Sequence, residues 1–167
     1  MYPFLDASID SLAGPSPAPC QPPSLAQWER LTQRGCSALQ AGRTELALFS
    51  FHQALSIAQD LLLDGPAPLH ADDCLAALVV SHHQLADLCA NAQLLEQAAN
   101  HLCRAHGAVM GLLQTPTTCL ALQQAAWRHS RETHAELLQY QRRWGPHAGI
   151  ARLLRASAEP AAGSTVH

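Results

Sequence analysis

Apolar residues recur along the middle of the chain at helical rather than strand spacing. Ala47, Phe51 and Ala54 fall at i, i+4 and i+7, and Ala98, Leu102 and Ala105 repeat the series, so each triplet lies on one stripe of a helix. Turn-forming residues separate the stretches. Ser24 followed by Gln27 reads as an S-x-x-Q capping box and Gly42 as a stop, predicting a first helix over about 25–40. A second starts near Thr44 and runs to Asp64-Gly65-Pro66, where glycine supplies a left-handed cap and proline forbids continuation. Asp72 and Asp73 suit the positive end of a third helix, which extends to about Ala90. Asn91-Ala92-Gln93 breaks into a fourth helix that reaches Gln114 at most. Thr115-Pro116-Thr117 then caps a long fifth helix of about 118–143, and Trp144-Gly145-Pro146 ends it. A short sixth helix, about 147–156, carries Ile150, Leu153 and Leu154 on one side.

Two features of the later helices carry packing expectations. Trp127, Ser130, His134 and Leu137 share a stripe of the fifth helix, which is expected to pack across the second hairpin with His134 partly buried. Gly107 and Gly111 interrupt the fourth helix at about 1 kcal/mol each relative to Ala, which points to close helix approach or an early end.

Composition narrows the class to all-α. The 167 residues include 30 Ala and 27 Leu but only seven Val and Ile together, so a sheet-dominated fold is nearly excluded. The length suits one domain. Six of the eleven prolines lie in residues 1–23, which reads as a disordered Pro-rich arm; 24–155 is the helical domain and 156–167 a disordered tail.

Charge acts mainly by exclusion. The formal net charge is −3 and every basic residue is Arg, so Schiff-base chemistry, pyridoxal-phosphate attachment and the G-K-[ST] phosphate loop are ruled out. The near-neutral balance gives no phosphate-tracking surface, and no nucleic acid is expected as partner. Arg128, Arg131, Arg142 and Arg143 read as a solvated face, with an acidic partner as the alternative. Apolar runs such as Leu61 to Leu63 and Leu75 to Val80 fall far below the roughly 18 residues of a membrane span, so no membrane is expected. The first twenty residues lack a basic n-region, and Cys20, Cys36, Cys74, Cys89, Cys103 and Cys119 lie 14 to 38 residues apart with no C-x-x-C. Reduced thiols and a cytoplasmic location are the expectation.

The hairpins contain an internal repeat. Gly35, Gly42, Ala47, Phe51 and Ala54 follow one another at steps of seven, five, four and three, and Leu85-Ala86, Ala98, Leu102 and Ala105 form the matching series. Gln93 stands where Gly42 stood, and Cys89 where an aromatic is common. The pattern resembles the tetratricopeptide repeat (TPR), a helix-turn-helix unit of roughly 34 residues. Ala47 and Ala98 are 51 residues apart, so the second and third helices must be extended or their loop lengthened. The run Ser81-His82-His83-Gln84-Leu85-Ala86-Asp87, with Trp28 and the long Arg-containing helix, is also similar to small bacterial TPR-like proteins.

The resemblance implies antiparallel hairpins stacked as a short solenoid with a long C-terminal capping helix. It also implies protein or peptide binding in a groove lined by the first helix of each hairpin. Repeat positions place Glu29, Thr32, Cys36, Gln40, His83, Asp87 and Asn91 on that surface, against the plain reading of solvated residues. TPR domains that clamp a C-terminal carboxylate use Lys and Asn at sites held here by Cys36 and Asp87, so no such clamp is expected.

Ten histidines raise the question of a metal. Only Cys103 and His106, at i and i+3, share a helix face, and His101 points about 140° from His106 and about 200° from Cys103. A closed site would need His82 or His129 from another helix. No metal and no cofactor are therefore expected, with Cys103 and His106 the weak candidates. His83 and Asp87, at i and i+4, can pair as an oriented imidazole. Without a G-x-S-x-G elbow, an active-site Cys signature or a Gly-rich oxyanion loop, they do not make an enzyme. The function expected is a protein-binding adaptor or scaffold; the alternative is a His/Cys-assisted metal-binding or redox-sensing helical protein.

Overall fold

The computed structural model describes residues 22–63 and 69–158. They form six helices, α1 (Leu25–Gln40), α2 (Thr44–Leu63), α3 (Ala71–Asn91), α4 (Leu95–Gln114), α5 (Leu120–Trp144) and α6 (Ala148–Ala158), with no strand among the described residues. Most of the Pro-rich arm, the Asp64-Gly65-Pro66 stop and the tail from residue 159 lie outside the described residues. The helix α6 runs through 156–158, which the sequence reading assigned to the tail.

Local chemistry sets most boundaries. Ser24 Oγ accepts from the Gln27 N–H at 3.2 Å and opens α1. Gly42 closes it at φ +71°, with the Arg43 N–H returned to the Ala38 carbonyl at 2.8 Å. Fifty-one residues on, Gln93 adopts φ +60° and the Leu94 N–H returns to the Cys89 carbonyl at 2.8 Å, so one turn type joins both hairpins. At Gln93 a side chain occupies a conformation that costs a non-glycine residue about 1 kcal/mol. The fifth helix starts at Leu120, later than the 118 read from sequence. Thr115 Oγ1 bonds the Gly111 carbonyl at 2.7 Å, closing α4 instead of capping α5, and Thr118 sits in a separate turn.

Packing is between neighbours. From α1 to α6 each helix lies on the next, apart from which α1 meets α3, α3 meets α5 and α4 meets α6; among the described helices α1 meets none beyond α3. One cluster unites Phe51, Leu55, Leu75, Leu85, Val109, Ala125 and Ala126; a second, built on Ala86 and Cys89 in the last turns of α3, unites Ala98, Leu102, Leu137, Tyr140 and Ile150. Full burial of such Leu, Val, Ile and Phe side chains stabilises the fold by about 1.5–3 kcal/mol each.

Three sequence expectations need correction. Counting uninterrupted runs understated α2, which at mean hydropathy 1.3 is long and apolar enough to cross a membrane by length and composition. Here Ala47, Phe51, Ala54, Leu55, Ala58 and Leu61 bury that apolar surface within the bundle. Trp127 does not pack across the second hairpin: it is 63% exposed, because the buried stripe of α5 is Ala125, Ala126, Thr133, Leu137 and Tyr140. The small Ala125 and Ala126 bring the helix close and turn Trp127 outward.

Nor do Gly107 and Gly111 mark a close approach, since a Cβ at either position would meet nothing within 4 Å. Their replacement by Ala is expected to raise stability by about 1 kcal/mol each, the helix-propensity difference, measured by chemical denaturation. The close approach lies at Gly35, where a Cβ would run into the Phe51 ring.

Candidate functional site

The helices α1, α3 and α5 share one side of the bundle, because α3 contacts both of the others. Two bonds define the seam between α1 and α3. Trp28 Nε1 donates to Ser81 Oγ at 2.8 Å, and two turns further along α1 Cys36 Sγ lies 4.0 Å from Gln84 Nε2. Thr32 stands between Trp28 and Cys36, one turn from each. Its Oγ1 is buried without a hydrogen-bond partner, as are Gln84 Oε1 and His83 Nε2.

The residues picked from sequence divide accordingly. Glu29, Cys36, Gln40, Asp87 and Asn91 are exposed, while Thr32 and His83 are half-buried. Gln40 and Asn91 are the last residues of their helices. The expected His83–Asp87 pair does not form: no hydrogen bond joins them among the described residues. Burial pushes the His83 pKa down, while Glu136, Glu132 and Asp87 pull it up, so the imidazole sits in an acidic surround extending to α5. Spacing at i and i+4 gave a shared face but not the direction of the ring. Gln84, Ser81 and Trp28 carry the seam and were missed as contacts. Their signal was the repeat itself, which sets Trp28 and Ser81 on first helices.

The weak metal pair also separates. His106 is 1% exposed and uses both ring nitrogens, Nδ1 at 2.9 Å from Thr133 Oγ1 and Nε2 at 3.1 Å from Ser157 Oγ. Cys103, half-buried, faces Gly149 of α6. No group of three His, Cys, Asp or Glu side chains among the described residues is arranged to hold a metal ion.

Ser157, His106 and Thr133 follow the order hydroxyl, imidazole, orienting group beside an open cavity of about 350 Å³. His106 and Thr133 lie in helix interiors and Ser157 in the last turn of α6, where backbone N–H groups are already bonded, so among the described residues no backbone oxyanion donor is offered to the hydroxyl. Ser157 Oγ also donates to the Leu153 carbonyl at 2.9 Å, a bond within its own helix. The described cysteines, Cys36, Cys74, Cys89, Cys103 and Cys119, are free thiols. Burial raises the pKa of Cys74, Cys89 and Cys103, which disfavours the reactive thiolate.

A different histidine group assembles on the other side of α3, from α2, α3 and α4. His82 is 3% exposed with Nδ1 at 3.1 Å from His101 Nδ1, and His52 stacks at a tilt against His101. Each helix wheel read alone could not show it, since the rings come from three helices.

A family model described as "Protein of unknown function (DUF2753)" matches residues 26–162. No curated protein and no solved structure matches the chain.

Proposed function

The chain belongs to the DUF2753 family, and we propose that it is a cytoplasmic, non-catalytic adaptor or scaffold, built as a short TPR-like stack, that binds a protein segment along α1, α3 and α5. The observation that carries this reading is that α3 packs against both α1 and α5, so the exposed Glu29, Cys36, Gln40, Asp87 and Asn91 of α1 and α3 lie on one continuous polar face. The backbone of a bound segment supplies both donors and acceptors to such exposed polar side chains. Contacts between each described helix and at most the next two along the chain, and one turn type repeated 51 residues apart, support the stacked arrangement. The lengths of α2 and α3, 20 and 21 residues, account for the spacing beyond a standard repeat. Asp87, Glu132 and Glu136 around His83 favour a segment carrying Arg or Lys.

Affinity and folding should separate on this surface. With a partner captured from the native cytoplasm and identified by mass spectrometry, His83→Ala and Asp87→Ala are each expected to weaken binding about tenfold, or ~1.4 kcal/mol. For Asp87→Ala, at an exposed position, stability should stay within about 0.5 kcal/mol. Full affinity in both variants would show that binding occurs on another face.

A further inference from the structure

The open cavity of about 350 Å³ beside His106 lies between α4, α5 and the last turn of α6. Met110 and Leu113 of α4 and Trp127 of α5 give it an apolar wall, and the Trp127 ring stands mostly in water. The polar side chains around the cavity divide by what they already bond. Ser130 Oγ donates to the Trp127 carbonyl at 2.8 Å and Ser157 Oγ to the Leu153 carbonyl at 2.9 Å, each within its own helix. His106 has Thr133 at one ring nitrogen and Ser157 at the other. Arg131 and His134 remain. Among the described residues neither has a hydrogen bond or an ion pair, and no Asp or Glu lines the cavity. Two donors, one of them a permanent cation, therefore stand beside an apolar wall with no acceptor supplied by the lining.

We infer that this cavity binds a small aromatic carboxylate, its ring against Trp127, Met110 and Leu113 and its carboxylate on Arg131, with His134 as a second donor. Charge selects an anion, because the lining carries a guanidinium and no acid. The planar fork of that guanidinium matches a carboxylate, and Trp127 and Arg131, at i and i+4 on α5, share one helix face. A wholly polar anion would leave the exposed indole in water. Stacking on the indole is what an aromatic ring adds and an alkyl chain lacks. The volume lies at the lower end of the roughly 300–1,000 Å³ of small-molecule sites, which suits a body of one or two rings. No residue of the α1 and α3 face takes part, so the protein-binding reading can fail without touching this site.

The test titrates the full chain with 1-naphthylacetate by calorimetry, beside its uncharged amide, 1-naphthylacetamide, and decanoate, the same carboxylate on an aliphatic chain. One-to-one binding of naphthylacetate tighter than about millimolar is expected, with the amide and decanoate each weaker by roughly tenfold. Arg131→Gln should weaken naphthylacetate about tenfold and leave the amide unchanged, whereas Trp127→Ala should weaken both. Arg104→Gln, at a separate hollow lined by His52 and His101, should change nothing. Arg131 and Trp127 are exposed, and circular dichroism of each variant separates loss of the site from loss of the fold. Absence of one-to-one binding overturns the inference. So does unchanged affinity in folded Arg131→Gln or Trp127→Ala, an equal loss in Arg104→Gln, or equal affinity for the amide or for decanoate.

Discussion

Unfolding of the protein at pH 4.5 is expected to require several kcal/mol less free energy than at pH 7.5. His82, at 3% exposure, has its pKa pushed down from 6.5 to about 4, first by burial and then by the nearby charges of His101, Arg104 and His83. As pH falls below 6.5, the unfolded chain takes up a proton at this position while the folded chain does not. The unfolded state therefore binds more protons, and stability falls with pH until the folded imidazole itself titrates near 4. At about 1.4 kcal/mol per pH unit, this interval corresponds to about 3 kcal/mol from His82 alone. Burial also lowers the pKa of His106, His83 and His101, so their contributions have the same sign. Denaturant melts across pH 7.5 to 4.5 measure the sum. A stability that is flat or rises on acidification would mean that these rings are hydrated.

Acid sensitivity of this kind was not legible in the histidine count, and the reason separates what the sequence specifies locally from what it does not. The ends of α1, α4 and α5 follow from Ser24, Gly42, Thr115 and Gly145, each of which acts on backbone atoms within about four residues. The apolar stripe of α2 and α4 is equally local, and Ala47, Phe51, Ala54, Ala98, Leu102 and Ala105 are buried as their spacing required. Rotation of one helix against another is not local. It decided that Trp127 faces outward and that Gly107 and Gly111 face open space. It also drew His82 toward His101, nineteen residues away, while His106, three residues from Cys103, turned to Thr133. On α1 and α3, Glu29, Cys36, Gln40, Asp87 and Asn91, the positions picked from the sequence pattern, are exposed. The unpartnered atoms of Thr32, His83 and Gln84 depend on how α1, α3 and α5 sit together, which no single helix encodes.

Gly35→Ala is expected to destabilise the protein although it replaces glycine inside a helix. Propensity alone predicts a gain of about 1 kcal/mol. At this position a Cβ would fall under 3.0 Å from three atoms of the Phe51 ring, which is itself only 1% exposed and held within the core with Ala38, Ala47 and Leu55. A buried aromatic ring has no flexible end to yield, so the helices must part or the ring must leave its rotamer. Overpacking of this kind costs about 1–3 kcal/mol beyond the propensity gain. A double-mutant cycle isolates the cause. Phe51→Leu alone should cost stability through lost burial, yet in the Gly35→Ala background it should cost less, because the smaller side chain relieves the overlap; the coupling should exceed about 0.5 kcal/mol. Gly107→Ala, in open space, gives the propensity effect without the contact. If Gly35→Ala instead raised stability as Gly107→Ala should, α1 and α2 would not approach closely at this point. The small residue that anchors the first repeat would then have no packing role, and the stacked-hairpin reading would lose its strongest physical support.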